Sequence, residues 1–140
     1  MKGRRIVVID GQGGNIGRQL VKMILERFPD AELTAVGTNS TATENMLKAG
    51  AKNAATGENA AAVACRKADV IVGPIGIVIT DALLGEVTAK IASAVGAADA
   101  VRILIPMNRC DTLVAGVSGG SPSAYLADAM EKLEGILKEA

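Results

Sequence analysis

The sequence contains no histidine or tryptophan, and its 140 residues include only one phenylalanine, one tyrosine and two cysteines. Without histidine, the Ser–His–Asp and Cys–His nucleophile systems are excluded. Cys65 and Cys110 lie far apart, form no CxxC motif and cannot supply the four ligands of a structural zinc site, so we expect no metal. Because aromatic rings are scarce and 15 acidic residues balance 15 basic ones, nucleic acid is not an expected partner.

Long apolar runs are also lacking. No run approaches the roughly 18 residues that a membrane helix requires, and no secretory leader pattern is present. We therefore expect no membrane association and a cytoplasmic location. The hydrophobic share of 49% and the charged share of 21% are typical of a globular protein, and the length predicts one domain over residues 1–140. The abundance of small Ala and Gly side chains favours close helix packing and a homo-oligomer.

Short apolar runs alternate with stretches of helical period, which is typical of an α/β fold with a parallel sheet. The predicted strands are Arg4–Asp10, Glu32–Val36, a weak Asn53–Ala55, Asp69–Gly73 and Val101–Pro106. Three of the predicted helices are Asn15–Arg27, Ala42–Ala49 and Glu58–Arg66. A fourth is capped by Thr80 or Asp81 and carries the apolar residues Leu84, Val87, Ile91 and Val95. The last is capped by Ser121 and carries Leu126, Met130, Leu133 and Leu137.

The end of the chain departs from this alternation. About six residues separate the fifth strand from the apolar run Leu113–Val117, whereas a parallel crossover needs roughly a dozen or more. We therefore expect an antiparallel sixth strand. The predicted fold is a Rossmann-like three-layer sandwich with a mostly parallel sheet and an antiparallel last strand.

Four glycines follow the first strand in the stretch VVIDGQGGNIGRQL and precede the first helix. In this context glycines permit a tight turn, close approach of backbone N–H groups to a phosphate, and close packing of helix on strand. The positive end of the helix then faces the anion, and Arg18 can add a charged contact. The predicted phosphate-binding residues are Gly11, Gln12, Gly13, Gly14, Asn15, Ile16, Gly17 and Arg18. A glycine-rich turn that only packs tightly is the alternative. Asp10 is expected to accept hydrogen bonds from N–H groups of the loop.

The spacing Gly11-x-x-Gly14-x-x-Gly17 resembles the GxxGxxG loop of atypical short-chain dehydrogenase/reductase relatives, and the likeness of element order extends over residues 4–106. The chain as a whole also resembles an uncharacterised bacterial family of small single-domain Rossmann-like proteins, through IDGQGG, GTN, AATGEN and GPIG. The first resemblance implies an NAD(P)-binding fold. The second implies no activity.

The catalytic part of the dehydrogenase pattern is missing. The resemblance implies a YxxxK pair, but the only tyrosine, Tyr125, has Ala129 at the lysine position. A P-loop is excluded by register, since Gln12 stands at the first glycine position and Arg18 replaces the lysine. The sequence identifies no catalytic residue, and whether the protein is an enzyme stays open.

The turn after the second strand, Thr38, Asn39 and Ser40, carries no acid that would read the ribose of NAD. Its polar groups can hold a 2′-phosphate, so NADP is favoured over NAD. A plain polar turn is the alternative.

Three more segments are expected at the same edge, because ligands of open α/β sheets lie at the carboxyl ends of the strands. They contribute the candidate cofactor-binding residues Glu58, Gly73, Pro74, Ile75, Gly76, Asn108 and Arg109. Turns without a ligand role are the alternative for each.

The sequence therefore favours a nucleotide-binding module without recognisable catalytic machinery, serving as a sensor or regulator. A cryptic NAD(P)-dependent oxidoreductase is the second hypothesis. A structural or oligomeric subunit whose glycine loop binds nothing is the third.

Overall fold

A computed structural model of the protein describes residues 4–107, 111–117 and 119–139. The strands are β1 (Arg5–Asp10), β2 (Glu32–Gly37), β3 (Asn53–Thr56), β4 (Val70–Pro74) and β5 (Val101–Ile105). The helices are α1 (Asn15–Arg27), α2 (Ser40–Lys48), α3 (Glu58–Lys67), α4 (Ala89–Gly96) and α5 (Pro122–Lys138), with a short 3-10 helix at Ile75–Val78. Across the described ranges, no helix is long and apolar enough to cross a membrane.

The strands form one parallel sheet in the order β3-β2-β1-β4-β5. Alternate residues of β1 enter two separate cores: Ile6 and Val8 pack with α1, α2 and α5, whereas Val7 and Ile9 pack with α3 and α4. Burial on both faces explains why β1 is a continuous apolar run. The predicted Rossmann-like three-layer sandwich is confirmed, and the carboxyl ends of β1, β2, β4 and β5 share one edge.

The first and last helices follow the sequence prediction closely. Helix α1 has the predicted bounds, and the side chain of Ser121 caps α5 by accepting a hydrogen bond from the N–H of Ala124 at 3.2 Å. The predicted apolar stripe of α5 is fully buried at Leu126, Met130, Leu133 and Leu137. Each such side chain contributes about 1.5–3 kcal/mol on burial, so the stripe anchors α5 beside β5.

The predicted start of the fourth helix is wrong. Helix α4 is capped by Thr88, whose hydroxyl accepts a hydrogen bond from the N–H of Ile91 at 3.2 Å. The preceding segment, 80–87, is a turn in which Leu84 is 96% exposed. Val87 is buried as expected, but it belongs to this turn.

The predicted sixth strand is also wrong for the described residues 111–117, none of which lies in a strand. Gly116 has φ +88°, and the N–H of Val117 donates to the carbonyl of Val114 at 3.1 Å, which closes a turn. Leu113 is 91% exposed, so packing against the sheet does not stabilise an extended conformation at this position. The sheet described by the structure is therefore wholly parallel.

Candidate functional site

The glycine loop makes one tight turn between β1 and α1. The N–H of Gly14 donates to the carbonyl of Gly11 at 2.9 Å, and Gly14 has φ +72°, a left-handed conformation that favours glycine. A Cβ atom at Gly14 would lie 2.8 Å from Cα of Ala42. Gly14 is therefore required both by the turn and by the close approach of α2.

Close packing also explains why glycine stands at positions 17 and 11. A Cβ atom at Gly17 would lie 2.8 Å from Cβ of Asp10 and 2.6 Å from Sδ of Met46, so this glycine lets α1 pack on β1 and α2. A Cβ atom at Gly11 would lie 2.6 Å from Oγ1 of Thr38.

Gly13 differs from the other three glycines. It is exposed, and an added Cβ atom would have no neighbour within 4 Å. Its φ lies outside the left-handed region, so neither packing nor conformation requires glycine at this position. The remaining reason for a glycine at position 13 is that it lets a bound group come close to the backbone.

The carboxylate of Asp10 lies beneath the loop and is 5% exposed. Oδ1 accepts a hydrogen bond from the N–H of Gly11 at 2.8 Å, and Oδ2 accepts one from the N–H of Gly17 at 2.7 Å, as the sequence predicts. Burial raises the pKa of Asp10, the backbone amides of Gly17, Gly11 and Ile16 oppose that rise, and the nearby charge of Glu86 adds to it. The carboxylate thus caps the start of α1 from inside the fold.

Glu86 lies on the other side of the loop and was not among the expected site residues. Its Oε1 accepts hydrogen bonds from the N–H of Gln12 at 2.8 Å, Oγ1 of Thr38 at 2.6 Å and Nδ2 of Asn39 at 2.7 Å. Partial burial opposes ionisation, but these three donors outweigh it and hold the pKa of Glu86 below its ordinary value. The polar turn after β2 therefore holds a carboxylate of the protein itself.

A cavity of about 560 Å³ opens on the remaining side of the loop. The glycine loop and the first residues of α1 form one wall, and the end of β5 and the start of α5 form the other. Its lining residues are Asp10, Gly11, Gln12, Gly13, Gly14, Asn15, Ile16, Leu83, Ile105, Pro106, Met107, Val117, Gly119, Gly120, Pro122 and Tyr125. The volume is within the range of roughly 300–1,000 Å³ that is typical of small-molecule sites.

Two free backbone donors belong to residues that line this cavity. Within the part of the chain that the structure describes, the N–H groups of Gly13 and Asn15 have no protein acceptor. Asn15 is the first residue of α1, so its N–H is one of those that a helix cannot satisfy internally. Arg18 is exposed, and its Nη2 donates to Oδ1 of Asn15 at 2.8 Å. Free amides at the positive end of a helix are suited to a phosphate group.

Ser40 and Glu58, two further candidate residues, do not line the cavity. Ser40 is the exposed first residue of α2. Oε2 of Glu58 accepts a hydrogen bond from Oγ1 of Thr88 at 2.7 Å, which ties it to the start of α4.

The segment Gly73–Gly76 does not line the cavity either. An added Cβ atom at Gly73 would collide with the carbonyl oxygen of Ile9, so this glycine serves strand packing. Asn108 and Arg109 lie outside the described residues.

The cavity residues that the sequence reasoning missed come from elements distant along the chain. The sequence shows Tyr125 only as a tyrosine that lacks the lysine of a YxxxK pair, whereas the structure puts it at the cavity wall. Its position after the helix signal Ser121-Pro122 and close to Gly119 and Gly120 is the one local signal that points there. Glu86 has no such signal.

A second cavity of about 590 Å³ lies at the amino ends of the strands, lined by residues such as Arg5, Glu32 and Ala64. It is slightly larger, but it is remote from the glycine loop. We assign the site to the carboxyl edge because the two free amides belong to residues that line that cavity.

Comparisons with known proteins give a family and a likeness of fold to solved structures. No similar sequence is found among curated proteins. Among solved structures, the chain is similar to the dodecameric FMN-dependent Ubix-like decarboxylase from Escherichia coli O157:H7, with 17% identity, 95% of this chain and 75% of that chain covered, and a TM-score of 0.44. A likeness this distant carries no argument about ligand or assembly.

The comparisons contain nothing specific to the short-chain dehydrogenases, whereas they confirm the expectation of an uncharacterised family. The sequence matches one family over residues 5–138, almost all of its length. The chain belongs to the DUF3842 family, a domain of unknown function.

Proposed function

We propose that this protein binds a phosphate-bearing nucleotide in the cavity between the glycine loop and α5. The observation that carries the proposal is the pair of free amides at Gly13 and Asn15, two residues that line the cavity at the positive end of α1. The opposite wall, with Ile105, Met107 and Tyr125, offers apolar surface and one aromatic ring for a base.

A binding role is favoured over catalysis because the described lining of the cavity offers little acid–base chemistry. Asp10 and Tyr125 are the titratable side chains in its described lining. Both oxygens of Asp10 are already engaged by the loop amides, and Tyr125 has Ala129 rather than lysine four residues later. A sensor or regulatory module fits these groups better than an oxidoreductase. The nicotinamide dinucleotides favoured by the sequence share the phosphate chemistry and belong among the ligands tested.

Thermal unfolding against a panel of nucleotides tests the proposal. The panel comprises AMP, ADP, ATP, NMN, NAD, NADP, FMN and FAD, added to protein freed of carried-over ligand. A ligand at a hundred times its dissociation constant stabilises the native state by about 2.7 kcal/mol. For a protein of this size the melting temperature should then rise by roughly 8–10 °C.

The matched variants are Gly13→Ala, which puts a methyl group at the proposed phosphate contact, and Gly135→Ala on α5, where an added Cβ atom also has no neighbour within 4 Å. The ligand-induced shift should shrink in Gly13→Ala and persist in Gly135→Ala. A shift that is equal in both variants, or that is absent for every nucleotide, contradicts the proposal. The absence of any shift favours the structural-subunit hypothesis.

A further inference from the structure

The turn after β2 is already occupied by Glu86. One backbone amide, one hydroxyl and one carboxamide, from Gln12, Thr38 and Asn39, converge on Oε1 of this side chain. Donors that converge on one oxygen are the arrangement by which proteins hold anions. In Rossmann-like folds, this position beside the first strand is where the ribose or 2′-phosphate of a dinucleotide is recognised.

The space next to Gly11 is also filled by protein atoms. An added Cβ atom at Gly11 would lie 2.9 Å from Cδ1 of Leu83 and 3.0 Å from Oε1 of Glu86. Thr38, Asn39 and Glu86 do not line the cavity, which extends from the loop towards β5 and α5. The edge therefore offers open volume on one side of the glycine loop and packed protein on the other.

The segment that carries Glu86 is closed on itself. Asp81, Leu83 and Leu84 have φ values of +68°, +58° and +58°, a conformation that is unfavourable for residues other than glycine. The segment is held by hydrogen bonds from the N–H of Asp81 to the carbonyl of Val87 at 2.7 Å and from the N–H of Val87 to the carbonyl of Ala82 at 3.1 Å. Glu86 is thus delivered by a preformed turn whose backbone strain is offset by its contacts.

We propose that Glu86 is a resident anion that excludes the adenosine half of a dinucleotide, so that the site takes a mononucleotide. This inference rests on the proposed nucleotide binding at the glycine loop and names the size and charge of the ligand. The phosphate of a mononucleotide lies at Gly13 and Asn15, and its base lies towards Tyr125. A second nucleotide would have to displace the carboxylate and Leu83. A 2′-phosphate would in addition bring like charge to the donors that Glu86 already uses.

Binding titrations with matched ligand pairs test this inference. NMN with NAD, FMN with FAD, and AMP with NAD each compare a mononucleotide with a dinucleotide that contains it. In the wild-type protein at least one mononucleotide should bind about tenfold or more tightly than its dinucleotide, a difference of about 1.4 kcal/mol. In Glu86→Ala the affinity for the dinucleotide should rise about tenfold, while that for the mononucleotide stays within about twofold.

Glu44→Ala is the control, since Glu44 is an exposed carboxylate on α2 that pairs with Lys48 rather than with the loop. It should leave both affinities unchanged. Dinucleotides that bind the wild-type protein as tightly as their mononucleotides would overturn the inference and leave the proposed nucleotide binding intact. A wild-type preference for mononucleotides that persists unchanged in Glu86→Ala would overturn the role of Glu86. If no nucleotide binds either protein, the proposed function itself fails. The wild-type comparison holds whether or not the variants fold.

Discussion

Replacing Gly14 by alanine should destabilise the protein by about 2–5 kcal/mol. The left-handed conformation of Gly14, φ +72°, costs a residue with a Cβ atom about 1–2 kcal/mol. The new Cβ atom would also lie 2.8 Å from Cα of Ala42, and this backbone atom cannot move aside as a flexible side chain can. Overpacking of this kind costs about 1–3 kcal/mol.

Thermal unfolding followed by circular dichroism measures this effect. At roughly 3 °C per kcal/mol for a protein of this size, Gly14→Ala should lower the melting temperature by roughly 6–15 °C. Gly13→Ala is the comparison one residue away. It meets no neighbour within 4 Å and needs no left-handed conformation, so its stability should change by less than about 1 kcal/mol in either direction.

A third variant separates the two causes. Gly14→Asn keeps the clash with Ala42 but tolerates the left-handed conformation better than alanine does. Its melting temperature should therefore lie between those of Gly14→Ala and the wild-type protein. If Gly14→Ala melts within about 2 °C of the wild-type protein, the turn geometry assigned here is wrong. If Gly13→Ala falls as far as Gly14→Ala, the two glycines do not have the separate roles described.

Three further outcomes are expected. Burial raises the pKa of Asp10 above 3.8, so the folded state binds the carboxyl proton more tightly than the unfolded state does. The stability of the wild-type protein relative to Asp10→Asn should therefore fall as the pH rises from 3.8 through the folded-state pKa. An increase in this relative stability, measured by urea unfolding, would contradict the prediction. Glu86 should show the opposite slope, because its pKa is lowered: the stability advantage over Glu86→Gln is present above 4.5 and is lost as the pH falls through the folded-state pKa. Cys65 is buried, and burial raises the pKa of its thiol to about 11. In a Cys110→Ser variant, this thiol should therefore react with a disulfide reagent only as fast as the protein unfolds. Rapid labelling of the native protein at pH 7 would contradict the burial of Cys65.

The elements that the sequence predicted well are those whose signals are local. Helix α1 is bounded by a glycine loop and by Phe28-Pro29, and α5 combines a serine cap, a proline at its first position and a regular apolar stripe. These features act within a few residues of one another. A single sequence is therefore sufficient to read them.

The predictions that failed depended on contacts between distant parts of the chain. The apolar spacing of Leu84 and Val87 is compatible with a helix, but the segment is fixed as a turn by contacts with the glycine loop. Glu86 lies 48 residues beyond Thr38 and 74 beyond Gln12 in sequence, so no periodicity reveals their hydrogen bonds. The same distance explains why the sequence identifies the donors of the polar turn after β2 but not Glu86, the acceptor that they share.

The carboxylate beneath the glycine loop has a consequence for how binding should respond to ionic strength. Most phosphate sites rely on lysine and arginine, and added salt weakens them by screening attraction. Here Asp10 lies under the loop and Glu86 beside it, while no lysine or arginine lines the described part of the cavity. The carboxylate of Asp10 opposes an approaching anion, whereas the exposed Arg18 at the start of α1 attracts it, so salt screens both effects. Affinity for a phosphate ester should therefore change little between low and physiological salt, unlike that of a site lined by lysine and arginine.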